Sequence, residues 1–158
     1  MFKNQRLNII IRVDRSVPPH FPYLTIKGPM YPELEKVGPV KYNLAKVKLY
    51  LHNDQKNRKW MKGTCIYEHF KKTNILKTCL GFHDAQEIQL KGIDVFEKLF
   101  GNKRLFCWKS IVRLRKNVFV VPWVGSFYDD EVGPIVRFGW VRLDDFWSDF
   151  HPAACFPN

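Results

Sequence analysis

The stretch RLFCWKSIVRLRKNVFVVPWVGSFYDDEVGPIVRFGWVRL, residues 104–143, decides the fold class. It holds three runs rich in β-branched and aromatic residues, which is the composition of strands. The predicted strands are 104–114, 118–124 and 135–143. The first link between them is only three residues long and ends in Asn117, which tolerates a positive φ. Strands joined by such short links pair antiparallel, so the C-terminal half predicts an antiparallel sheet.

One residue in this stretch limits how its strand can pair. Pro122 has no backbone N–H to donate, so the strand 118–124 is expected to lie at an edge or to carry a bulge.

The residues before this stretch predict further strands. Strands are expected at 7–13 and at 46–52, with a short third strand in YLTI at 23–26. In the second of these, Val47, Leu49 and Leu51 alternate with polar residues, which is the pattern of a half-buried strand.

Two helices are predicted between the strands. Thr64 can cap a short helix that runs to about Lys72. Asp84 opens a second helix, and Gly101 ends it. The apolar stripe of this second helix includes Gly92, which predicts a backbone packed close against it. The order of elements indicates an α+β fold: one domain, 1–158, in which a mostly antiparallel sheet or small open barrel carries two mid-chain helices on one side.

Charge is the most unusual property of the composition. The 158 residues carry a net charge of +11, and residues 1–77 hold sixteen Lys and Arg against five Asp and Glu. Residues 117–158 reverse the balance, with two basic and six acidic side chains. A surface of this kind attracts polyanions such as nucleic acid, or an acidic protein. A solvated basic face without a dedicated partner is the plainer interpretation.

A candidate nucleic-acid surface follows from the strand alternation. Binding of a nucleic-acid backbone needs several cations on one face, and single strands add rings on which bases stack. The predicted strands turn one set of side chains outward together, and a polar loop between them supplies another set. The candidate residues are Lys46, Lys48, Tyr50, Arg58, Lys59, Trp60, Lys109, Arg113 and Arg115.

The spacing of cysteine and histidine raises the question of a zinc site. Cys65 and His69 are four residues apart, as are Cys79 and His83, and His151 and Cys155 repeat the interval in reverse. Structural zinc usually takes its ligands from tighter Cys-x-x-Cys or Cys/His knuckles in a tetrahedral set. Coincidence is therefore the preferred interpretation, and no metal or other cofactor is expected.

Catalytic motifs are weak in this chain. A metal-dependent nuclease could use Asp14 with Glu33 and Glu35, but the second acidic group stands in a turn-rich stretch without suitable spacing to Lys36. A cysteine nucleophile at Cys65 or Cys107 has no nominated base. We therefore favour a protein that is not an enzyme, although the sequence leaves the question open.

The sequence favours a small basic protein that binds nucleic acid through a basic and aromatic sheet face. The lack of a helix-turn-helix or finger pattern argues against sequence-specific reading of a duplex. The main alternative is a protein-interaction module that binds an acidic partner or docks its aromatic tail, in which Phe146, Trp147, Phe150 and Phe156 lie. Because we find no secretory signal and no long apolar stretch, a cytoplasmic location away from membranes is expected.

Overall fold

A computed structural model describes the fold for residues 7–21 and 28–158. In these residues three α-helices are formed, namely α1 (Gly63–Lys72), α2 (Phe82–Leu90) and α3 (Ile93–Phe100). The strands are β1 (Ile10–Arg12), β2 (Lys41–Asn43), β3 (Lys48–Tyr50), β4 (Met61–Lys62), β5 (Arg104–Phe106), β6 (Val112–Arg115), β7 (Val118–Asp129), β8 (Gly133–Arg142), β9 (Phe146–Trp147) and β10 (Ala153–Cys155). The strand expected at 23–26 lies outside the described residues.

The central sheet is built on the long β7–β8 hairpin. β8 pairs along one edge of β7, from Val120 opposite Arg142 to Asp129 opposite Gly133. β5 and β6 both pair antiparallel with β7. Because the β7 residues that they pair with include residues already paired with β8, β5 and β6 lie on the other edge of β7, one after the other. β10 then runs parallel to β5 and antiparallel to β3. The mostly antiparallel sheet and the α+β class are therefore confirmed, and the strands of residues 7–21 and 28–158 do not close into a barrel.

A break between β5 and β6 divides the first strand predicted in the C-terminal half. Residues Trp108–Ser110 form a turn of 3-10 helix there. Pro122 of β7 lies opposite this break, and its carbonyl accepts a hydrogen bond from the Cys107 N–H at 2.8 Å. Pro122, which lacks a backbone N–H, therefore lies where the ladder of hydrogen bonds is interrupted. Its strand is central in the sheet, so of the two expectations for Pro122 the irregular ladder holds and the edge position is wrong.

The second predicted helix is two helices, because Gly92 separates α2 from α3. Gly92 has a φ of 89°, which a helix cannot contain. A Cβ atom at this position would meet no heavy atom within 4 Å, so the expected close backbone contact is wrong. Asp84 also differs from its expected place. Gly81 is the N-cap of α2, and the Asp84 carboxylate reaches back to accept the Gly81 N–H at 2.9 Å.

Both faces of the sheet are covered. Leu105 and Val124 are opposite each other on one face, where α2 and α3 pack. Phe106 and Trp123 are the neighbouring pair and point to the other face, where α1 and the ring of Trp147 pack. Alternation along each strand therefore divides the core into two apolar layers. Of the three helices, α1 lies across the sheet from the other two, so the expectation that the helices pack on one side of the sheet is wrong.

A buried network of charged groups ties several segments together near α2. Arg15 donates to both carboxylate oxygens of Asp84, at 2.8 and 2.9 Å, and the Tyr42 hydroxyl donates to the same carboxylate at 2.9 Å. Asp84 is fully buried and Arg15 is nearly so. Charges withdrawn from water in this way are stable only when paired, so this carboxylate has a structural role.

A second part of the network joins Glu35 to the turn at 108–110. The Ser110 hydroxyl accepts the Phe82 N–H and donates to Glu35 at 2.6 Å. Burial raises the pKa of Glu35, and burial lowers the pKa of Lys109 to about 8. A cavity of about 310 Å³ adjoins Arg15 and Glu35, but both side chains already have partners inside the protein. We therefore assign the network to the stability of the fold.

The helices are short, and α1, the longest of those described, has 10 residues. In the part of the chain that the structure describes, no helix has the length and apolar character needed to cross a bilayer.

Candidate nucleic-acid interface

The loop that precedes β4 presents an exposed tryptophan. His52 begins the loop and caps a turn of 3-10 helix, Asn53–Gln55. Its Nδ1 accepts the Asp54 N–H at 3.1 Å, and its own N–H donates to the side-chain oxygen of Gln55. Asn57 and Arg58 follow with φ values of 58° and 61°, in the left-handed region. Such a backbone turns the chain sharply. Trp60 emerges from it with 59% of its surface exposed.

A tight turn in the C-terminal tail presents an exposed phenylalanine. The His151 Nδ1 accepts the Ser148 N–H at 3.1 Å, and the His151 N–H donates to the Ser148 carbonyl at 3.1 Å. The Ser148 hydroxyl accepts the Phe150 N–H at 3.2 Å. Ser148 is buried and takes part in all three of these hydrogen bonds, so it holds the turn in place, while Phe150 is 76% exposed.

Gln55 joins the loop to the tail. Its buried side-chain amide donates to the Ser148 carbonyl at 3.0 Å and to the His151 carbonyl at 3.1 Å. The short antiparallel pair of β4 and β9 continues the same alignment, with Met61 opposite Trp147. As a result the rings of Trp60 and His151 have centroids 6.3 Å apart. Two segments almost a hundred residues apart in sequence therefore form one surface.

Two cavities adjoin on this surface and share Asp149 and Phe150. The larger, about 550 Å³, extends towards the turn between α3 and β5, and the smaller, about 270 Å³, extends towards the Trp60 loop. We call this surface the aromatic platform. Its lining residues are Arg58, Trp60, Asn102, Lys103, Arg104, Ser148, Asp149, Phe150 and His151.

The charge of the platform is mainly positive. Arg58, Lys103 and Arg104 line the cavities, and the exposed Lys59 lies in the same loop as Trp60. The Arg104 guanidinium lies 4.4 Å from the centroid of the Trp123 ring, and this cation–π contact restrains it.

Two further titratable groups belong to the platform. Burial, and then the nearby charge of Arg104, lowers the pKa of His151 below its usual range, so the ring is neutral at pH 7. Asp149 is the one carboxylate among the lining residues. In the described residues it forms no salt bridge within 4 Å.

Two of the residues predicted from sequence, Arg58 and Trp60, line the platform, and a third, the exposed Lys59, lies between them in the same loop. Four others, Lys46, Lys48, Arg113 and Arg115, are exposed but lie elsewhere, on or beside β3 and β6. No backbone pairing joins these two strands in the residues described, and β10 lies between β3 and β5. The structure therefore does not bring the two predicted basic strands together as one stripe.

The remaining two predicted residues do not face solvent as expected. Lys109 is fully buried, because the 3-10 turn at 108–110 interrupts the alternation on which its outward position was predicted. Its ammonium donates to the Val37 carbonyl and lies 4.7 Å from the Phe156 ring centroid. Tyr50 is half-buried, and its hydroxyl pairs with His69 Nε2 at 3.0 Å. Lys109 is therefore withdrawn from the surface, whereas Tyr50 keeps part of its ring exposed with its hydroxyl engaged.

Several side chains of the cysteine and histidine pairs contact other partners. Cys65 is exposed, whereas His69 is engaged with Tyr50. Cys79 instead lies beside Cys155, and their Sγ atoms are 4.0 Å apart. Over residues 7–21 and 28–158, no group of three or more His, Cys, Asp or Glu side chains is arranged to hold a metal ion. Asp14 of the nuclease hypothesis is exposed and bonds to Ser16.

The basic side of the larger cavity was not predicted from the sequence. Lys103 and Arg104 follow Gly101, the residue that ends α3, and adjacent cations in such a turn were a signal that could have been used. Phe150 was noted only as part of an aromatic tail. Nothing local in the sequence joins it to Trp60, because the link depends on the long-range hydrogen bonds of Gln55.

Comparison with known proteins gives no match to this chain, whether among protein-family models, curated proteins or solved structures. Any functional assignment must therefore rest on the site itself.

Proposed function

We propose that this protein binds single-stranded nucleic acid at the aromatic platform. The observation that carries the proposal is the juxtaposition of Trp60 and Phe150, two exposed rings supplied by distant segments, within a basic surface. Isolated exposed rings are common, but two rings that line one cavity beside Arg58 make an arrangement suited to stacked bases and their phosphates.

Rings and cations contribute to binding in different ways. Every base has a π-face, and stacking on an aromatic side chain stabilises binding by about 1–3 kcal/mol per base. Arg58, Lys59, Lys103 and Arg104 then neutralise phosphates along the strand and release counterions. In a duplex the bases are already stacked on each other, so the rings have nothing to bind. The platform therefore favours unpaired strands.

Fluorescence anisotropy with labelled oligonucleotides tests the proposal. Single-stranded DNA, single-stranded RNA and duplex DNA of one sequence are each titrated at low and near-physiological salt. We expect both single strands to bind more tightly than the duplex, and to keep micromolar affinity at the higher salt because stacking is not screened. Equal binding to all three probes that disappears with salt would assign the affinity to net charge alone and would reject the platform.

Asp149 allows a prediction of opposite sign. Its carboxylate lies between the two cavities and repels phosphate, so Asp149→Asn is expected to tighten single-strand binding by about two- to fivefold at low salt, with a smaller effect at high salt. The matched control is Asp130→Asn in the β7–β8 turn, which changes the net charge equally. Equal affinities for the two variants would show that Asp149 is not at the binding site.

An acidic protein is the second candidate partner. The exposed rings of Phe146 and Phe150 favour it, because exposed apolar groups close to cations also suit a peptide. The Lys62 ammonium lies 5.8 Å from the centroid of the Phe146 ring. Competition distinguishes the two: a poly-glutamate peptide that displaces the oligonucleotide only at low salt leaves nucleic acid as the preferred ligand. Tight peptide binding at physiological salt would reverse the order.

A further inference from the structure

Two buried thiols face each other, one on β10 and the other on the segment that pairs with it. Cys79 and Cys155 are directly opposite in an isolated antiparallel bridge. The Leu80 N–H donates to the Ala154 carbonyl, and the Phe156 N–H donates to the Thr78 carbonyl. The hydrogen bonds therefore flank the cysteines, which makes them a non-hydrogen-bonded pair, the type in which the Cα atoms are about 4.5 Å apart. That separation is within the range that a disulfide spans.

The side chains are already close. The two Sγ atoms are 4.0 Å apart, so rotation about the side-chain bonds can bring them into bonding distance without rebuilding the backbone. The other two cysteines do not share this arrangement, since Cys65 is exposed on α1 and Cys107 is buried in the apolar layer beneath α2.

We propose that Cys79 and Cys155 are a site of reversible oxidation, at which a peroxide converts the two thiols into a disulfide. The inference is independent of nucleic-acid binding, because it rests on this cysteine pair alone.

The two sulfurs take different parts in the reaction. Cys155 is 8% exposed and lies directly opposite Lys48 of β3, whose charge favours a thiolate, whereas Cys79 is fully buried. The hydrogen bond from Cys79, and then the contributions of Thr78 and Lys48, lower the pKa of Cys155 despite its burial. Burial raises the pKa of Cys79. Cys155 is therefore the attacking group, and Lys48 is its positioning residue.

The chemistry balances in two steps. The Cys155 thiolate attacks one peroxide oxygen, so that an S–O bond forms, the O–O bond breaks, and hydroxide leaves as water after taking a proton. The Cys79 thiol then attacks the Cys155 sulfur, the S–S bond forms, and the sulfenic oxygen leaves as a second water. Two thiols lose two electrons and two protons, and one hydrogen peroxide is reduced to two molecules of water.

Peptide mapping by mass spectrometry tests the proposal on the intact protein. Reduced protein is treated with hydrogen peroxide, and its unblocked thiols are alkylated before digestion. We expect a linked peptide pair containing Cys79 and Cys155, its loss on treatment with dithiothreitol, and a rise of about 5–10 °C in the thermal midpoint of the oxidised form. Absence of the linked pair, with Cys155 unmodified or oxidised only to the sulfinic acid, would overturn the proposal.

Lys48 provides a kinetic test that a purely structural pair would not pass. Lys48→Gln is expected to slow formation of the linked pair by at least about twofold, because the thiolate loses its nearest cation. Lys46→Gln is the control, since Lys46 precedes β3 and does not pair with Cys155. Equal rates for the two variants would contradict the role of Lys48.

Discussion

Asp84→Ala is expected to lower the free energy of unfolding by about 3–5 kcal/mol. The substitution removes the carboxylate to which Arg15 donates two hydrogen bonds, so Arg15 keeps its charge in the interior without its ion-pair partner. It also leaves the Tyr42 hydroxyl and the Gly81 N–H without the acceptor that both use. Because a buried unpaired charge costs far more than a lost surface contact, this is one of the two largest effects expected of a single substitution.

Urea unfolding followed by circular dichroism measures this effect, and the chain offers a matched control. Asp144 forms a salt bridge of 3.0 Å with Arg142, but both side chains are more than half exposed. Asp144→Ala is therefore expected to cost less than about 1 kcal/mol. If the two substitutions had equal effects, the buried network would not hold the segments around α2 together.

Trp147→Ala is the second large effect, also about 3–5 kcal/mol. Trp147 is fully buried, its ring centroid lies 4.6 Å from that of Phe106 and 4.9 Å from that of Trp108, and its indole N–H donates to the Arg142 carbonyl at 3.3 Å. Truncation leaves a large cavity under α1 and removes one of the two hydrogen bonds to the Arg142 carbonyl, the other being donated by the Asp145 N–H. Thermal or urea unfolding of the purified variant measures the loss.

Phe150→Ala is the control for that prediction. Phe150 is three residues further along the same tail, but its ring is exposed, so its removal is expected to change stability by no more than about 0.5 kcal/mol. The pair of variants tests which rings of the tail belong to the core and which belong to the platform. A large loss of stability in Phe150→Ala, or none in Trp147→Ala, would contradict the assignment.

The fold could be predicted from sequence where the pattern is local. The hairpin of β6 and β7, with Asn117 at a φ of 63° in its turn, and α1 follow from alternation, turn residues and helix length, and the structure contains both. Where a single residue changes the backbone, prediction failed: Gly92 divides a helix, and the turn at 108–110 divides a strand. The same turn buries Lys109, because strand alternation no longer predicts which way a side chain points once an irregular turn interrupts the strand.

The candidate site could be predicted only in part, for a different reason. Trp60, Arg58 and Lys59 stand out as aromatic and basic residues in one polar loop. Their partners across the platform are set by tertiary contacts, above all by Gln55, a residue whose type gives no sign that it reaches Ser148. The expected basic stripe failed because it depended on strand order. Sequence periodicity gives the face of each strand but not the neighbour beside it.

The most direct test of the account is the affinity of Trp60→Ala/Phe150→Ala for a labelled single-stranded oligonucleotide at near-physiological salt. The comparison protein is Tyr128→Ala, which removes an exposed ring from β7 near its turn to β8, away from the platform. Circular dichroism first establishes that both variants are folded. Because two stacking rings are lost, we expect the dissociation constant of the double variant to be at least about tenfold larger and that of Tyr128→Ala to be unchanged. Equal affinities would contradict the platform as the nucleic-acid site.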